Sequence, residues 1–193
     1  MKKKIVSLFL VVVTLSLAML TFTSCGAHKV THYATIEIED YGTIELELYG
    51  EEAPITVANF VKLANEGFYE GLTFHRIISG FMIQGGGYDV DGYEKDADSI
   101  KGEFSSNGIK NKIKHERGVI SMARTEIKDS ASSQFFIMHE DSPHLDGQYA
   151  AFGIVTRGIG VVDEICKNVP QGYNGAVTLA NRPVIESITI KNA

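Results

Sequence analysis

The sequence predicts a mainly β fold, eight short strands closing into a barrel, with two helices. Short runs in which apolar and polar residues alternate recur from Ala34 to the C-terminal end, and only two stretches carry a helical period. Glycine-rich connections such as Gly85-Gly86-Gly87 separate the runs and suit tight corners. Eight strands in an open sheet of this size would leave two exposed edges, which closure removes.

The first two runs are "ATIEIED" and "GTIELELY", with Ile or Leu on one face and Glu or Thr on the other. Asp40-Tyr41-Gly42 joins them as a hairpin with one buried face. In "EEAPITVANFVKLANEG", acids precede Pro54 at a helix start, Val57, Phe60, Val61 and Ala64 form an apolar stripe, and Gly67 ends it. Six further β-type runs follow: "LTFHRII", "FMIQGG", "GVISMA", "SQFFIMH", "YAAFGIV" and "PVIESITI". The second helix is "GVVDEICK", Gly160 to Lys167, in which Cys166 reads as a small core residue. Strict alternation would send Phe74, Arg76 and Ile78 to one face and His75 and Ile77 to the other. It also separates Gln134, Phe136 and Met138 from Phe135 and Ile137.

The N-terminal segment is of another kind. "MKKK" and the apolar run Ile5 to Leu20 have the form of a secretory signal, and a run of 16 residues is short for a membrane span. "LTFTSCG" then resembles the lipobox of bacterial lipoproteins, with Phe22 where an aliphatic residue is usual. That resemblance implies a lipid on Cys25 and removal of residues 1–24, with residues 25–33 as lipidated cysteine and tether and 34–193 as the domain. Ordinary secretory cleavage would give the same compartment, outside the cytoplasm.

Without residues 1–24 the chain has 15 basic and 24 acidic residues, net −9, which argues against nucleic acid as a partner. With Cys25 lipidated, Cys166 has no intramolecular disulfide partner. No metal site is expected: His28 and His32 lack a third ligand, as do His139 and His144, and Asp89 to Asp98 lacks the spacing of a calcium loop. The triple glycine lacks the Lys-Ser/Thr of a phosphate loop, and no sequence motif supports a Ser-His-Asp array.

Arg76, set among aliphatic residues in "FHRIISGFMIQGG", cannot be buried unpaired. It belongs either to an ion pair on the barrel wall or to the edge of a groove.

Four stretches decide between these. "FHRIISGFMIQGG", "GVISMAR", "SQFFIM" and "PHLDGQYAAFG" resemble, in order and spacing, the central motifs of the cyclophilins, the peptidyl-prolyl cis-trans isomerases, and the likeness extends over the whole domain. The resemblance implies an eight-stranded antiparallel barrel capped by two helices, and rotation of X-Pro peptide bonds without a cofactor. By motif position it implies Arg76 as the catalytic residue. Phe81, Met82, Gln84, Ala123, Gln134, Phe136 and Leu145 would be groove residues, with Phe136, Met82 and Leu145 forming a cup for the proline ring. Three positions depart from widespread family patterns: Arg124 for an asparagine, His144 for a tryptophan and Tyr149 for a histidine. All three are expected beside the bound peptide, and loss of the indole implies weaker binding of cyclosporin.

The expected partners are proline-containing segments of unfolded or exported proteins, and a membrane reached through lipid on Cys25. The chain is expected to act as a monomer. The alternative is a noncatalytic module that holds proline-containing segments at the cell envelope; the intact arginine and groove residues favour the enzyme.

Overall fold

The computed structural model describes residues 28–193; Cys25 and the signal segment lie outside the described residues. Eight strands form one sheet: β1 (His32–Ile38), β2 (Gly42–Leu48), β3 (Leu72–Ile78), β4 (Met82–Asp89), β5 (Val119–Met122), β6 (Phe135–Met138), β7 (Ala151–Arg157) and β8 (Ile185–Asn192). Their order is β3-β4-β6-β5-β7-β2-β1-β8, and every ladder is antiparallel.

Closure is partial, which corrects the expectation of a closed barrel. No ladder joins the outermost strands; the Thr73–Val184 bridge and the bonds Phe74 N–H to Pro183 O and Gly71 N–H to Ile185 O draw the edges together. The reason is local: β8 begins only at Ile185, and Pro183 just before it has no N–H to donate. The sheet is a curled half-barrel.

Among the described residues two helices pack one face each on the core inside the curl. α1 (Pro54–Asn65) buries Val57, Phe60, Leu63 and Ala64, and α2 (Ile159–Asn168) buries Val162, Ile165 and Cys166. Phe60 lies at the centre, its ring 5.2–5.6 Å from those of Tyr69, Phe135 and Phe152. Burial pushes the Cys166 thiol up to about 11.

The start of α1 is satisfied from a distance. Glu103, fully buried, accepts from Ile55 N–H at 3.1 Å, Thr56 N–H at 2.7 Å and the Thr56 hydroxyl at 2.7 Å. A carboxylate there meets both the unpaired N–H groups and the positive end of the helix dipole. The acids preceding Pro54 are engaged elsewhere: Glu51 pairs with Lys29 at 2.6 Å and Glu52 with His28 at 3.1 Å. Residues 28–33, expected as a tether, therefore lie against the domain, and β1 begins two residues before Ala34.

The sheet has a core on each side. The larger lies inside the curl and contains both helical stripes; a second forms on the outer face around Met82, Phe136, Met138 and Leu145. Alternation along β6 sends Phe135 and Ile137 inward and Phe136 and Met138 outward, as the sequence predicts. The described residues, 28–193, carry eight strands, two helices and both cores.

Candidate active site

The outer core becomes a site where β3 joins it. Across four adjacent strands the register sets Arg76, Gln84, Phe136 and Ser121 in one row. Arg76 reaches that row through a bulge. Phe74 pairs with Gly85 and Arg76 with Gln84, so His75 is the extra residue on β3. The bulge resets the alternation: Phe74 and Ile77 both lie in the inner core, whereas Ile78 packs on the outer one. The expected shared face of Phe74 and Arg76 is thereby corrected. On β4 a second register shift, between Thr73 and Phe74, leaves Gly86 and Gly87 without a β3 partner; the φ of Gly86, +80°, suits glycine, and a Cβ on Gly87 would clash with Gln134.

His75 has a cost of its own. Its ring meets Tyr88 edge-on at 4.8 Å, but Nδ1 is buried without a hydrogen-bond partner among the described residues. Burial, aided by the charges of Arg182 and Arg76, pushes its pKa down to about 4.

The Arg76 guanidinium is held on three sides. Nε donates to Asn174 O at 3.0 Å, one terminal nitrogen to Asn174 Oδ1 at 3.0 Å and the other to Gln84 Oε1 at 3.3 Å. Gln84 in turn donates to Gln134 Oε1 at 3.0 Å, fixing which end of its amide faces the arginine. Among the described residues no carboxylate pairs with Arg76, so the wall ion pair is absent there.

Next to this cation a pocket of about 210 Å³ opens. Met82, Phe136 and Leu145, all buried, form its apolar floor and wall, with Phe81, Ala123 and Tyr149 around them. Arg76, Gln84 and Arg124 supply its polar margin. Of the remaining expected residues, Gln134 lines an adjoining pocket of about 190 Å³, and His144 stacks on Phe81 at 5.7 Å. A larger cleft of about 370 Å³, beside residues 39–41 and 179–184, contains none of the expected residues.

Arg124 is less available than its charge suggests. Its guanidinium donates to the carbonyls of Gln148 (3.0 and 2.8 Å) and Thr125 (2.7 Å) and lies over the Tyr149 and Phe104 rings.

The model of the family described as cyclophilin type peptidyl-prolyl cis-trans isomerase/CLD matches residues 33–193. The chain belongs to the cyclophilins. Relatives agree: peptidyl-prolyl cis-trans isomerase B of Bacillus subtilis (strain 168) is 50% identical over 135 residues, 70% of this chain and 88% of the relative. An isomerase of Acinetobacter baylyi is 42% identical over 170 residues, 84% of this chain and 83% of its own. A crystal structure of a Cryptosporidium parvum cyclophilin type isomerase superimposes with a TM-score of 0.69 at 26% identity, covering 84% of this chain and 99% of that one. Another structure of that protein, in the presence of the dipeptide Ala-Pro, gives 0.68 at 27% identity, covering 83% and 99%. The reaction of this cyclophilin is the cis-trans isomerisation of X-Pro peptide bonds.

Sequence reading missed three supporting residues of the cyclophilin groove. Asn174 adopts φ +52° in a short turn 98 residues from Arg76. His115 lies buried behind Phe136, and Asp146 bonds to it. None has a periodic or spaced signal; only the Tyr-Asn-Gly turn composition hinted at a left-handed asparagine. Among the described residues no helix is long and apolar enough to cross a membrane.

Proposed function

We propose that this groove turns X-Pro bonds by seating the proline ring on Phe136, Met82 and Leu145 while Arg76 addresses the twisting amide. The observation that carries this reading is the fixed guanidinium at the margin of an apolar cup, held by neutral acceptors on Asn174 and Gln84.

The chemistry needs little else. Amide resonance sets a barrier of about 18–20 kcal/mol. A barrier of about 20 corresponds to roughly 0.01 per second, so reaching about a thousand per second requires some 7 kcal/mol of transition-state stabilisation. As the bond twists, the proline nitrogen pyramidalises and regains a lone pair. A donor that meets this lone pair binds the twisted form better than either planar one, which is what lowers a barrier. Arginine is always charged and offers several donors in a rigid fork. Neutral oxygens hold it, and among the described residues no carboxylate pairs with it. One preorganised donor contributes about 3–4 kcal/mol of that stabilisation.

In this reading Phe81, Ala123, Gln134, Arg124, His144 and Tyr149 contact the peptide on either side of the proline, and the chain acts as a monomer. Its clients are exported proteins folding outside the cytoplasm, where slow proline isomerisation limits folding. The signal-like N-terminal segment and the lipobox resemblance at Cys25 support that compartment and a lipid anchor. Mass spectrometry of the mature chain, with and without Cys25→Ser, tests the anchor.

Exchange NMR of an X-Pro peptide with residues 28–193, alongside Arg76→Ala, tests the catalytic roles. Acceleration by the parent and a loss of about 10²–10³ in kcat in a folded variant is the expected result. Equal acceleration by both would overturn the role of Arg76. Peptide binding without acceleration by the parent would favour the noncatalytic module.

A further inference from the structure

Beneath the cup three side chains that do not line the pocket form a line. His115 Nδ1 lies 3.2 Å from Asp146 Oδ1, and its Nε2 lies 3.1 Å from Ser121 Oγ. His115 N–H donates to the same Asp146 oxygen at 2.8 Å, and Lys114 Nζ pairs with the other at 3.1 Å. The imidazole stacks on Phe136 at 6.1 Å and meets Tyr149 edge-on at 6.5 Å.

The direction of the line follows from its ends. Burial would raise the Asp146 carboxyl, but its bonds to His115 N–H, Lys114 and the His115 ring outweigh this and hold it below the usual range. An ionised carboxylate only accepts, so Nδ1 bears the proton and Nε2 accepts from the Ser121 hydroxyl. Burial holds the imidazole below its ordinary range despite the pull of Asp146, which keeps it singly protonated at neutral pH.

The order Asp-His-Ser is that of an acyl-transfer triad, yet Ser121 is completely buried and no substrate reaches it. What the line does span is the cup. Ser121 faces Phe136 across the β5–β6 ladder, and Asp146 directly follows Leu145. His115 O also accepts from Ser142 N–H at 2.7 Å, so both ends of the short turn bearing Leu145 are fastened to one residue.

We infer that His115 is a positioning residue, a strut between β5 and the Leu145 turn that fixes the gap into which the proline ring fits. The inference rests on the cup being the proline subsite. Dispersion contacts weaken over a fraction of an ångström, so a slackened turn loses ring contacts. The ring occupies the cup in planar and twisted states alike, so the loss falls on KM rather than kcat.

The test uses residues 28–193 and an X-Pro peptide followed by exchange NMR. His115→Phe retains an aromatic ring beside Phe136 and removes both side-chain bonds; Asp146→Ala releases the turn from the opposite end. Each is expected to raise KM about fivefold to tenfold with kcat within about twofold, and to shift the Leu145 methyl resonances. Asp146→Asn, whose amide oxygen still accepts from Nδ1–H, is expected to restore most of the affinity. Folded variants with lowered Tm but unchanged KM would overturn the inference, leaving His115 a packing residue. A fall in kcat at constant KM would overturn it too, by placing the influence on Arg76. If His115→Phe fails to fold, the Asp146 pair decides. Failure of the underlying reading shows separately, as a parent whose acceleration survives loss of Leu145.

Discussion

Arg76 and Asn174, 98 residues apart, meet through two hydrogen bonds of 3.0 Å, one to the backbone oxygen and one to the side-chain oxygen of the asparagine. A cation so clamped keeps its orientation before a substrate arrives, and a preorganised donor stabilises a transition state most. Replacing Asn174 by Gly keeps the left-handed backbone, φ +52°, accessible while deleting the side-chain bond. Asn174→Gly is expected to lower kcat about fivefold to tenfold with little change in KM, read by exchange NMR at saturating peptide. Unaltered kcat would mean that Gln84 and the Asn174 carbonyl suffice.

Glu103 provides a stability test remote from the groove. Glu103→Gln keeps the shape but replaces one of the two accepting oxygens by an NH2, which must face either Ile55 N–H or Thr56. A loss of about 2–3 kcal/mol in urea unfolding is expected, with activity per folded molecule retained. A loss under about 0.5 kcal/mol would show that the cap is dispensable.

His75 makes the fold acid-sensitive. The unfolded imidazole titrates near 6.5, whereas the folded one takes a proton only near 4. Folding is therefore unopposed by this residue above 6.5, and stability drains away as pH falls from 6.5 towards 4, by at most about 3 kcal/mol. His75→Phe retains the ring against Tyr88 and removes the unpartnered nitrogen. Urea unfolding at several pH values is expected to show a flatter acid limb for the variant; parallel curves would assign the acid loss to other groups.

Cyclosporin binding is expected to be weaker than nanomolar. His144, exposed and stacked on Phe81, stands where the cyclophilin resemblance places a tryptophan, and it presents less apolar surface. Titration calorimetry decides, and a nanomolar Kd would refute the expectation.

How far the sequence could be read follows from the range of each interaction. The β1–β2 hairpin and all eight strands were legible because alternation is a local signal. The motifs that name the candidate groove keep a fixed order, and the fold gathers most of their residues, among them Arg76, Met82, Gln84, Phe136 and Leu145, around one pocket, with Gln134 beside an adjoining one. The bulge at His75 was not, since one inserted residue leaves no trace in a pattern of twos. Neither were Asn174 on Arg76, Glu103 on α1 or His115 on Asp146: each is a single side chain meeting a partner 31 to 98 residues away. Incomplete closure was hidden for the same reason, being decided by where β8 starts relative to β3.

The two cores share one sheet but not one set of residues, for neighbours such as Phe135 and Phe136 belong to opposite sides. Heritable change can therefore reach the two sides separately. Substituting every second position of β4 and β6 reshapes what the protein recognises while the inner residues go on specifying the same curled sheet. A lineage built on this chain has room to trade one clientele for another, or to abandon catalysis altogether, without having to invent a new scaffold.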